Sequence, residues 1–138
     1  MKAEIHSQKG VAAVEFALVL PLLVLLAFGI IEFSLALYDK AVITNASREG
    51  ARAGIVFRDP AFTDGEIIGI VNQYCQNRLI TFGSALQPTT SVVREGTSTG
   101  DDLTVQVHYQ YTFLVIPGFI TNMTGGIPMT AQTVMRME

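Results

Sequence analysis

The chain of 138 residues has no tryptophan, one cysteine and two histidines, and only 15% of its residues are charged. A lone Cys75 excludes an intrachain disulfide framework and any four-thiolate metal site. His6 and His108 lie far apart in sequence, so a hydrolase built on them would be poorly equipped. No phosphate-binding loop, HExxH or GxSxG motif occurs. These shortages lead to the expectation of a protein that is not an enzyme, with no catalytic residue, no cofactor and no bound metal. Nine Lys/Arg against twelve Asp/Glu give a net charge of −3. A nucleic-acid partner is therefore not expected, because phosphates require a cationic surface. What the chain does have is apolar surplus, with a mean hydropathy of +0.39.

That surplus is concentrated near the amino end. Between Val11 and Ile31 the only charged side chain is Glu15, and FALVLPLLVLLAFGII follows it without an ionisable group. As a helix this segment spans about 31 Å, the thickness of a bilayer's hydrocarbon core. A chain this short has too little material to cover such a cylinder on every side, so insertion in a lipid bilayer is expected. Lys2 and Lys9 precede the segment with one acid, Glu4, whereas Glu32, Asp39 and Lys40 follow it. Positive charge is retained on the cytoplasmic side, which predicts an exported carboxyl-terminal part. The apolar run is too long for a conventional secretory signal, and EFSLALYDK beyond it offers no Ala-x-Ala. Glu15 stands out, since a charge inside a membrane segment costs free energy and usually has a partner. It could instead snorkel to the headgroups. Pro21 removes one backbone donor and is expected to bend the helix.

The residues around Glu15 form a pattern. A polar stretch, MKAEIHSQKG, ends in Gly10, and Glu15 and Phe16 follow after four residues. This arrangement resembles the processing site of type IV prepilins, with glycine before the cut, glutamate five residues after it and an aromatic next. The closer resemblance is to the TadE-like family of pseudopilins from tight-adherence (Flp) pilus systems. It rests on GVAAVEFALVLP at Gly10–Pro21, FGIIEF at Phe28–Phe33, NASREGARAG at Asn45–Gly54 and a short tail, VMRME, at Val134–Glu138. The resemblance implies cleavage by a prepilin peptidase between Gly10 and Val11. Residues 1–10 would then be a leader, 11–31 a membrane helix and 32–138 an exported head. It also implies that Glu15 pairs with a neighbouring subunit's new amino terminus. Pilin or pseudopilin subunits and the inner-membrane pilus assembly machinery would be partners, with adhesion and biofilm formation as the outcome.

Beyond Ile31 the helical pattern continues, and no proline interrupts it between Pro21 and Pro60, so one helix from about Val11 to Ile55 is expected. Its apolar stripe reads as Leu35, Tyr38, Val42, Ala46, Ala53 and Phe57. Ala46, Gly50 and Gly54 recur every four residues as a small-residue line. In lipid such a line favours helix pairing, and outside lipid it lets a sheet or helix lie close. Thr63 and Glu66 have capping-box spacing for a second helix reaching about Ile80, with Cys75 beside its apolar face. Leu103 to Val115 alternate apolar and polar residues as a long strand, with Ser91–Glu95 and Ile127–Met137 as partners. Loops are expected at Gly83–Ser91, Thr97–Asp102 and Pro117–Gly126, and His108 falls on the polar parity.

The resulting fold class is α+β. A long transmembrane helix continues into a small head, where a second helix packs on a three- to four-stranded antiparallel sheet. Two functions compete. One is a membrane-inserted pilus subunit trimmed after Gly10, and the other is a single-pass anchored periplasmic protein that binds or assists assembly without polymerising.

Overall fold

The computed structural model describes residues 2–81, 87–113 and 125–137, with side chains from Gly10 onward. Its elements run α1 (Lys2–Ile55), α2 (Asp64–Gln76), β1 (Thr89–Arg94), β2 (Asp102–Tyr111) and β3 (Ile127–Arg136). The architecture is α+β, as the residue pattern predicts. The chain divides into two compact units, Met1–Ser34 and Leu35–Glu138.

The first unit is helix alone. Helix α1 starts at Lys2 rather than near Val11, and it passes through Pro21. The polar stretch contains good helix formers and no proline, and a single Gly10 costs only about 1 kcal/mol relative to alanine. Every residue from Gly10 to Ile31 is exposed.

The second unit holds the core. Strands β1, β2 and β3 form an antiparallel sheet in that order, with Val92 opposite Val105 and Val107 opposite Ala131. Leu103, Val105, Val107, Tyr109 and Tyr111 are all buried, so the alternation along β2 puts every second side chain into the core. His108, on the other parity, is exposed and meets the Thr130 hydroxyl at 3.0 Å. The β1–β2 connection closes through Glu95 N–H to Asp102 O at 3.0 Å, and the Asp101 carboxylate accepts from Ser98 N–H at 2.8 Å. Strand β1 begins at Thr89, inside the stretch expected as loop. The expected loop positions 83–86 and 117–124, and the strand positions Leu114 and Val115, lie outside the described residues.

Helix α2 begins with the expected capping box. The Thr63 hydroxyl accepts from Glu66 N–H at 3.3 Å, and Glu66 accepts from Thr63 N–H at 2.8 Å. Such a cap contributes about 1 kcal/mol. These hydrogen bonds, with Arg58 nearby, hold the Glu66 carboxyl below its ordinary range. At the other end α2 stops at Gln76, one turn short of the expected Ile80. Arg78 and Leu79 N–H groups both turn back to Cys75 O at 3.1 Å, and Ile80 N–H leaves the helix to reach Asp39 on α1 at 2.9 Å. A tertiary hydrogen bond thus replaces the last helical turn.

The stripe that α1 buries differs from the expected one. Ala36, Asp39, Val42, Ile43, Ala46, Ser47, Gly50, Ala51 and Gly54 face inward, while Tyr38 is 45% and Phe57 88% exposed. Small side chains occupy this face because α2 and β2 come close to the helix axis. A Cβ added at Gly50 would stand 2.5 Å from Val71 Cγ2, and one at Gly54 would collide with Leu103 and Ile67. Ser47 meets the Thr133 hydroxyl at 2.8 Å, and Lys40 donates to Thr130 O, fastening α1 to β3.

Candidate functional site

Gly10, Val11, Glu15, Phe16 and Pro21 all lie on the exposed first unit of α1. Val11 is 58% and Phe16 63% exposed, and nothing lies within 4 Å of where a Gly10 Cβ would point. Val11 and Glu15 are one helical turn apart on one face, and side chains on a helix tilt toward its amino end. The Glu15 carboxylate therefore leans back toward Val11. A cut after Gly10 would free the Val11 amine, with an ordinary pKa near about 8 and hence protonated at neutral pH. An ammonium and a carboxylate would then share the same end of the rod.

Glu15 sits in an apolar environment of unusual extent. Leu18, Leu22, Leu25 and Leu26 are each more than 60% exposed, and within α1 the mean hydropathy of an 18-residue window reaches 2.7 with none of that window buried. A core helix of a water-soluble domain would be largely covered. Left in water, each such leucine forgoes about 1.5–3 kcal/mol of burial free energy. The helix is long and apolar enough to cross a membrane and fits a membrane anchor.

In the second unit, Ala46, Gly50 and Gly54 form the close-packed line described above. Cys75 is fully buried, and desolvation pushes its thiol up to about 11. It is thereby inaccessible in the folded head, contrary to the exposure that a crosslink between chains would need. The shallow depression beside His108, about 350 Å3, is bounded by Gln87, Thr89, Gln110, Pro128 and Thr130. Among the described residues it brings no carboxylate, thiol or second histidine to His108. Among the described residues no group of three or more His, Cys, Asp or Glu is placed to hold a metal.

The residue that sequence reasoning passed over is Asp39. It is fully buried, although the sequence offered it only as one of several charges after the apolar run. Its spacing was a usable signal, since Ala36, Asp39, Val42, Ile43 and Ala46 follow three- and four-residue steps.

A family model described as TadE-like protein matches residues 10–52. The match takes in Gly10, Glu15, Phe16, Pro21, Ala46 and Gly50, so the sequence resemblance and the family model coincide on this stretch. No curated protein and no solved structure gives a significant match to the chain. The TadE-like segment and the exposed apolar helix together fit a membrane protein associated with a Tad pilus.

Proposed function

We propose that this chain is a structural or assembly subunit of a tight-adherence pilus, inserted in the bacterial inner membrane and processed by a prepilin peptidase after Gly10. The observation that carries the reading is the TadE-like match over residues 10–52, centred on a bare apolar helix with Glu15 as the only charge from Val11 to Ile31. Its amino terminus faces the cytoplasm and its head, residues 32–138, faces the periplasm. Lys2 and Lys9 support that orientation.

The role is non-catalytic. The chain is first a peptidase substrate and then a packing element beside other pilin or pseudopilin subunits and the assembly machinery. Gly10 suits the cleavage step because it has no side chain and its surroundings are open. Cleavage leaves the apolar helix attached, and the new Val11 ammonium becomes available to the Glu15 carboxylate of a neighbouring subunit. Gly10→Ala is expected to accumulate the full-length precursor in membranes, read as slower gel mobility than the wild-type chain. Equal mobility of the two would remove the processing step from this reading.

A further inference from the structure

Asp39 joins three parts of the head. Its Oδ1 accepts from Ile80 N–H at 2.9 Å, which ties the chain after α2 to α1. From β2, the Tyr109 hydroxyl interacts with the carboxyl, and from α2 the buried Cys75 thiol lies near enough to feel its charge. The residue is 0% exposed, and Oδ2 has no hydrogen-bond partner among the described residues. Among the described residues no cation forms an ion pair with it. Lys40, the next residue on α1, donates its ammonium to Thr130 O, and Arg78 lies over the Tyr74 ring at 4.2 Å and donates to Tyr74 O at 3.1 Å.

A buried carboxylate with one empty oxygen is costly, and a carboxylic acid in the same place costs less. With a proton on Oδ2 the carboxyl is neutral, and Oδ1 still accepts from Ile80 N–H. We propose that Asp39 is a proton-binding switch in the head, and that proton uptake from solvent at Oδ2 tightens the junction of α1, β2 and the chain leaving α2. Desolvation raises the Asp39 carboxyl above its ordinary value, in keeping with this geometry. Burial, followed by the neighbouring Asp39 charge, pushes Tyr109 up to about 12.

The sign follows from linkage. A carboxyl whose affinity for protons is higher folded than unfolded binds more protons in the native state, so its contribution to stability is present at low pH. That contribution is lost as pH rises through the folded-state value. Comparison with Asp39→Asn isolates the effect from other groups, because asparagine keeps an acceptor for Ile80 N–H and cannot titrate. In full-length protein in detergent micelles, the thermal midpoint of wild type relative to Asp39→Asn is expected to fall as pH rises from below the ordinary carboxyl value of about 3.9 to neutrality. A difference that stays constant, or grows in favour of wild type, overturns the proposal. Carboxyl 13C titration of the wild-type chain decides it independently should the variant not fold. The Asp39 midpoint is expected above the ordinary value of about 3.9, and a midpoint at or below that value overturns the switch.

Discussion

Replacing Glu15 by leucine is expected to abolish incorporation of the chain into surface filaments while leaving its membrane insertion intact. The two effects separate because they depend on opposite properties of one side chain. For insertion, Glu15 is a liability. A charge in a membrane helix costs up to a few kcal/mol, less near the interface, and leucine removes that cost. For assembly, under the proposed function, Glu15 would be the partner of an ammonium at Val11. At ~4 Å and an effective dielectric of about 20 the attraction is on the order of 4 kcal/mol before desolvation is subtracted. Losing even half of it lowers the equilibrium constant for adding each subunit by more than tenfold, since about 1.4 kcal/mol is one decade. Immunoblots of purified filaments and of membranes read both effects. Wild-type levels of the leucine variant in filaments would favour the competing function, an anchored protein that does not polymerise.

The second large effect is expected in the head. Gly50→Val should unfold or severely destabilise it, because the new Cβ would lie 2.5 Å from Val71 Cγ2 and also reach Ile67 and Val105, all fully buried. Alanine there is the milder test. It gains about 1 kcal/mol of helix propensity against overpacking of about 1–3 kcal/mol. Valine adds two methyl groups to the same collision and has no helical gain of that size. Val71 is β-branched and stiff at χ1, so it cannot swing aside cheaply. In a domain of this size each kcal/mol shifts the melting temperature by about 4–8 °C. Circular dichroism melts of the full chain in detergent are expected to show a loss of ~10 °C or more for valine, and a smaller loss for alanine. An unchanged melt would mean that Gly50 does not form the close contact with α2.

Much of this architecture was legible in the residue pattern. The alternation from Leu103 to Tyr111 needs only one buried sheet face, and that face is buried in β2. The Thr63 and Glu66 box is local chemistry and appears as read. The stripe of α1 was misread for a physical reason. Large apolar residues such as Tyr38 and Phe57 drew attention, whereas close approach selects alanine, serine and glycine. The end of α2 was illegible because a distant carboxylate, Asp39, captures the Ile80 N–H. Only the folded arrangement brings positions 39 and 80 together. Along the apolar segment, Gly10, Glu15 and Phe16 stand out in sequence because spacing on a single helix requires no tertiary information.

The central claim is that proteolysis creates the cation that Glu15 meets. Its most direct test is amino-terminal sequencing and intact mass of the chain recovered from sheared filaments and from membranes. The account predicts a mature chain beginning at Val11 in filaments. Chains that still carry residues 1–10 in assembled filaments would contradict it, since no ammonium would then exist beside Glu15.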